Sequence, residues 1–193
     1  TMPDAPSVTG RYLFSEHPTG HSVLPTAATC TLDGLQIRVP VAGRGALHAI
    51  PLLAATGPVT VEMEPDSDQQ HSQSVSIPAL VSGRFDQPRD ADWYSFVATE
   101  AGNYVFEVFS ERIAGNADPY LVVLDDQGST VLELDDFGHR INAFDGHLRD
   151  PYGTTGLQAG KTYRVLVQDR YGRGGDRFQY VLAIRRPAPD VHI

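Results

Sequence analysis

From Asp92 onward the chain alternates apolar and polar residues in short runs broken by glycine and proline. "DWYSFVA" has period two, and after the turn "TEAGN" the run "YVFEVFS" puts Tyr104, Phe106 and Val108 on one face, which is expected to be core. "PYLVVLDD" and "TVLELDD" flank the turn "DQGS" and predict a hairpin, launched by the turn "ADPY" with Pro119 at the first strand position. Two closing runs, "KTYRVLVQD" and "FQYVLAIRR", predict the inward sets Tyr163, Val165, Val167 and Phe178, Tyr180, Leu182, Ile184, with the Gly-rich loop "RYGRGGDR" between them. The stretch "INAFDGHLRDPYGTTGLQAG" shows no period and reads as irregular. No amphipathic helix of useful length occurs. About seven or eight such strands exceed what one flat sheet accommodates, so the predicted fold is all-β, a two-sheet antiparallel β-sandwich of jelly-roll type.

Residues 1–57 have a different texture. "LQIRVPVAG" and "ALHAIPLLA" predict two strands, interrupted by Pro40 and Pro51 and therefore edges or ends, while "SEHPTGHSVLPTAATC" reads as loop. The expected organisation is a small N-terminal β unit over 1–57, possible tail of a neighbouring domain, joined at Gly57 and Pro58 to a sandwich over 58–188, with a short tail at 189–193.

Composition narrows the partners. The 193 residues suffice for one sizeable core, and a formal net charge of −9 with 15 scattered Lys and Arg gives no basic stripe for nucleic acid or an anionic membrane. The single cysteine, Cys30, excludes an internal disulfide and any cysteine-built metal site. No segment approaches the roughly 20 apolar residues of a membrane span. The start "TMPDAPSV" lacks the pattern of a signal peptide, so the chain is expected to be soluble, and cytosolic or already processed.

The chemistry-bearing stretch is "VEMEPDSDQQHSQSV". Glu62, Glu64, Asp66 and Asp68 crowd into a few residues, and carboxylates so close repel, so the group either lies open in water or is neutralised by a cation. A second acidic set, Asp135, Asp136, Asp145 and Asp150, reads as solvated turns. Alternation sends Tyr94 and Phe96 into the core and Trp93 to the other face, where Trp93 is a candidate anchor for a ligand. Tyr152 and Tyr171 are expected in loops and are further binding candidates, since exposed tyrosines give contact area at small entropic cost. His139 and His147 lack a third zinc ligand, and no "HExxH" or "GxSxG" occurs. Asp145, His147 and a serine can be drawn as a triad on paper, but strand alternation makes such coincidences common. "GRGG" is followed by neither Lys-Ser/Thr nor a helix and reads as a flexible turn, and no enzyme is expected.

Several of these features, taken in order, resemble the bacterial pre-peptidase C-terminal domain. They are "E-x-E-P" (Glu62, Glu64, Pro65), the "GRFD" strand, "DADWYSF", "AGNYVFEVFS", "ADPYLVVLDDQGSTVLELDD" and "GKTYRVLVQDRYGRGGDRFQYVLAI", covering roughly residues 58 to 186. The version here is similar to modules in large exported planctomycete-type proteins. The resemblance implies a β-sandwich accessory module of a secreted, periplasmic or cell-surface protein. Through related collagen-binding modules of collagenases it also implies calcium held by Glu62, Glu64, Asp66 and Asp92, with Asp90 as a further candidate. Asp66 and Ser67 stand where the family usually has Asn-Asp or Asn-Asn. The implied partner is a polysaccharide, a matrix protein or another domain of the parent protein. Two other function classes remain, a structural subunit of a larger extracellular or periplasmic assembly and an unrecognised hydrolase.

Overall fold

The computed structural model describes residues 58–136 and 149–187, together with the backbone of five strands before them. Those five are β1 (Ser7–Val8), β2 (Ser22–Val23), β3 (Ala28–Thr31), β4 (Gly34–Pro40) and β5 (Leu47–Leu52). β1 pairs with β2, and β3, β4 and β5 form an antiparallel sheet in that order. The two predicted N-terminal strands are β4 and β5. Pro40 ends β4, and Pro51 lies in β5 at the sheet edge, where a missing N–H is tolerated. The segment expected to be loop contains β2 and all but the last residue of β3, a correction that follows from the β-branched Thr29 and Thr31 in "ATCT". Gly57 of the expected join, the tail at 189–193, His139, Asp145 and His147 lie outside the described residues.

From residue 58 the chain forms β6 (Thr60–Val61), β7 (Gln73–Ser74), β8 (Ala79–Arg84), β9 (Ala91–Val97), β10 (Gly102–Phe109), β11 (Pro119–Leu124), β12 (Thr130–Leu134), β13 (Tyr152–Leu157), β14 (Thr162–Asp169) and β15 (Gln179–Arg185). One sheet runs β13-β10-β15-β8-β6 and the other β12-β11-β14-β9-β7. The chain passes between the sheets at almost every connection, which is the wrapping of a jelly roll; only the predicted β11–β12 hairpin stays within one. All pairings are antiparallel except those of the edge strands β6 with β8 and β7 with β9. Both parallel pairs thus come from the acidic opening segment.

The two sheets share one core. Phe106, Val108, Val165, Tyr180 and Leu182 are fully buried, as the alternation predicts, and Phe96 of one sheet meets Phe106 of the other at a ring separation of 6.1 Å. Phe178 packs against this core from just before β15, only partly buried. The outer face of β10 is also covered: Glu107 is buried between Arg112 at 2.8 Å and Arg185 at 2.9 Å.

The stretch read as irregular contains β13. Its period is faint because it is an edge strand whose only buried side chain is Leu157, and Gly153 leaves the space that Leu134 of the other sheet fills. Tyr152, expected in a loop, is the first residue of this strand and 41% exposed; Tyr171 sits in the turn after β14, 71% exposed, with the Arg173 guanidinium over its ring. Asp150, expected in a solvated turn, is fully buried. Its carboxylate accepts the backbone N–H groups of Ser110, Glu111 and Arg112 and the Arg112 Nε–H, capping the short 3-10 turn at Glu111–Ile113.

Candidate metal centre

The opening segment is stitched to both sheets. The Glu62 N–H donates to Ser82 O at 3.0 Å, and the Arg84 N–H donates to Glu62 Oε2 at 2.6 Å, which turns the Glu62 side chain inward beside β8. One amide clamps the crossing: the Met63 N–H donates to Gln73 Oε1, and Gln73 Nε2 donates to Val61 O, both at 3.0 Å. Further on, the Trp93 N–H donates to Asp66 O at 2.9 Å, fixing Asp66 against the start of β9. The segment therefore spans the open seam between the two sheets.

At that seam Glu62, Glu64, Asp66 and Asp92 each offer a carboxylate oxygen, and the four oxygens lie within 4.8 Å of one another. Asp92 arrives from β9, whose alternation puts it on the same inward face as Tyr94 and Phe96. Glu62, Asp66 and Asp92 are buried and only Glu64 is exposed. Both oxygens of Asp66 and Oδ1 of Asp92 are buried without a hydrogen-bond partner among the described residues. Leaving such groups unsatisfied costs on the order of 1–3 kcal/mol each, and more when they are charged.

The electrostatics agree. Burial, with the Glu64 carboxylate next to it, pushes Asp66 up to about 7. Burial and the neighbouring Glu62 push Asp92 up to about 10, against the pull of the Tyr180 hydroxyl, which donates to Asp92 Oδ2 at 2.5 Å. Tyr180 is in turn 2.5 Å from the Tyr94 hydroxyl, and both tyrosines are fully buried and held well above the ordinary phenol value, chiefly by burial. Asp90 is buried beside the group and raises both aspartates, but its Oδ2 accepts the Asp86 N–H at 2.6 Å and it does not belong to the group of four.

The donor set fits a hard cation. Four carboxylates converge with no imidazole or thiolate among them, which suits calcium, whose coordination takes about six to eight oxygens from carboxylates, carbonyls and water. Asp66 and Asp92 supply oxygens that nothing else satisfies, and the exposed Glu64 leaves the site open to water on one side.

Gly83 belongs to the construction. A Cβ there would lie 2.4 Å from Tyr180 Cζ and 2.6 Å from Glu62 Oε2, both on side chains that cannot swing away because they are buried. Gly83→Ala is expected to cost about 1–3 kcal/mol by overpacking and to displace Glu62 from the group. Denaturant unfolding with and without calcium measures both effects, and an unchanged midpoint would show that Glu62 and Tyr180 are not wedged against β8.

The four carboxylates that the structure brings together are those the resemblance implies, whereas Tyr180, Tyr94 and Gln73 beside them were missed by sequence reasoning. Alternation sends Tyr94 and Tyr180 inward as apolar positions; the signal for their role is the hydroxyl itself, since a buried tyrosine in place of phenylalanine requires a polar partner. Trp93 lies, as expected, on the outer face of β9 and is only partly exposed, across from Leu166.

No family model matches the chain, and no curated protein does. Among solved structures the chain is similar to the pre-peptidase C-terminal domain of collagenase from Bacillus anthracis, at 15% identity and a TM-score of 0.42 over 68% of this chain and 100% of that one. It is also similar to PliG of Salmonella Typhimurium, a periplasmic lysozyme inhibitor of g-type lysozyme, at 17% identity and a TM-score of 0.37 over 59% of this chain and 97% of that one. A third is the CBM35 from Cellvibrio japonicus Abf62, at 13% identity and a TM-score of 0.32 over 55% and 72%. What the chain does is therefore read from the acidic site and from the residues that resemble the pre-peptidase C-terminal domain.

Proposed function

We propose that the sandwich is a non-catalytic accessory module of an exported protein, in which calcium held by Glu62, Glu64, Asp66 and Asp92 pins the opening segment across the seam of the two sheets. The observation that carries this is the set of three buried, unpartnered oxygens on Asp66 and Asp92 inside a four-carboxylate group. Raised carboxyl pKa values also mark catalytic acids, but Asp66 and Asp92 are fully buried among further carboxylates, which supports a site that acts on the fold. Asp90 supports the site from beside it. No described helix is long and apolar enough to cross a membrane. A secreted, periplasmic or surface setting follows from the sequence resemblance, and it suits a calcium site of the affinity typical of extracellular modules, on the order of 10⁻⁴–10⁻³ M.

The partner in this reading is a polysaccharide, a matrix protein or another domain of the parent chain, met through Tyr171 and Tyr152, with Trp93 as a further candidate contact. A glycan array, with pull-down on insoluble polysaccharides and on collagen, tests it. Binding to one class is expected, and Tyr171→Ala should weaken it about tenfold while leaving the melting temperature unchanged, as for an exposed aromatic anchor. The isolated chain should show no peptidase, esterase or glycosidase turnover. Reproducible hydrolysis abolished by changing Asp145 or His147 would overturn the accessory-module reading.

A further inference from the structure

A second acidic group lies at the open end of the β11–β12 hairpin. Asp118 immediately precedes β11, and Asp135 and Asp136 immediately follow β12; antiparallel pairing, with Leu121 across from Leu134, brings them together. One carboxylate oxygen from each lies within 4.8 Å of the others. Asp118 is only 7% exposed, and its Oδ1 is buried with no hydrogen-bond partner.

The nearby cations do not supply that partner. Arg149 and Arg173 attract the Asp118 charge, but Arg149 Nη2 donates to Glu111, and Arg173 Nε and Nη2 both donate to Asp169. Arg170 Nε pairs with Asp135 Oδ2 at 3.0 Å and leaves the other oxygen of Asp135 uncommitted to it. The Asp118 backbone is anchored on both sides: its N–H donates to Asp169 Oδ1 at 2.9 Å, and its carbonyl accepts the Arg170 N–H at 2.7 Å. The Asp118 carboxylate is thus held in place facing two others, its Oδ1 buried without a donor among the described residues.

We propose that Asp118, Asp135 and Asp136 form a second divalent-cation site, suited to calcium, that closes the open end of the β11–β12 hairpin. The donors are all carboxylate oxygens, as a hard cation requires, and the exposed Asp136 leaves room for the waters that complete calcium coordination. The turn carrying Tyr171 begins at Asp169 and Arg170, which hold the Asp118 backbone, so the ion would also steady the most exposed tyrosine of the described residues.

The site is independent of the one at Glu62–Asp92, and direct calcium binding separates them. Equilibrium dialysis of the full chain against calcium at neutral pH is run on the parent, Asp118→Asn, Asp136→Asn and Glu64→Gln. Asp118→Asn is expected to bind one ion fewer than the parent. Asp136→Asn, at an exposed position where misfolding is not an issue, should weaken that same ion at least tenfold. Glu64→Gln should leave it bound. If Asp118→Asn does not fold, Asp136→Asn decides alone. Stoichiometry and affinity equal to the parent's in Asp136→Asn overturn the proposal, whatever Glu64→Gln does; an ion lost in Asp136→Asn with none lost in Glu64→Gln upholds it and removes the site at the seam instead.

Discussion

Replacing Phe106 with alanine is expected to destabilise the fold by about 3–5 kcal/mol, the range for emptying a fully buried aromatic position. Phe106 is fully buried at the middle of β10, paired with Gly153 on one side and Ile184 on the other, and its ring meets Phe96 across the two sheets. Gly153 has no side chain to move into the cavity, and Phe96 is held by Tyr104 and Tyr163, at ring separations of 6.3 and 5.8 Å. The hole therefore stays largely open. Denaturant unfolding measures the loss as a fall in midpoint at constant slope. A midpoint equal to the parent's would mean that β10 presents its other face, with Val105 and Glu107, to the core.

That phase was legible because the strands central to each sheet bury one face completely, and burial enforces alternation. β9 and β14 show it without exception, Asp92, Tyr94, Phe96 and Tyr163, Val165, Val167 all pointing inward. β13 was not legible: an edge strand facing Leu134 through a glycine has little to bury and so little period. The same limit applied to the sites. Glu62, Glu64 and Asp66 are close in sequence and announce themselves, and Asp92 joined them through the family resemblance. Asp118 meets Asp135 and Asp136 only through the hairpin's pairing, and nothing in "ADPY" shows that its aspartate is buried without a donor. Asp150 misleads in the opposite sense: read with its acidic neighbours as a solvated turn, it instead collects three backbone N–H groups and an arginine.

Calcium should raise the stability of the parent by about 2.7 kcal/mol at 100 times its dissociation constant, because the unfolded chain cannot assemble Glu62, Glu64, Asp66 and Asp92 around an ion. The pH dependence gives the effect a second signature. Asp66 and Asp92 have folded-state values raised from 3.8 to about 7 and about 10, mainly by burial. A raised carboxyl keeps its proton in the folded state while the unfolded chain releases it, so without calcium stability falls as pH rises from about 4 through 7. Asp118 is raised as well and adds to the fall, whereas Asp68 and Asp169, whose values are lowered, act only below that window. Calcium takes the ionised carboxylates and displaces their protons, so its affinity should increase over the same range and binding should release protons, measurable by titration calorimetry in buffers of different ionisation enthalpy. Chelated protein should melt lower at pH 8 than at pH 5, and saturating calcium should reverse or flatten that trend. Loosening should begin at residues 58–70, where repulsion is left uncompensated, and hydrogen exchange reads this directly. Glu64→Gln removes one ligand and one source of repulsion together, so it should abolish the share of the calcium response that belongs to this site while leaving the chelated protein no less stable. A chelated protein that instead gains stability from pH 5 to 8, with a melting temperature indifferent to calcium, would mean that the four carboxylates hold no ion.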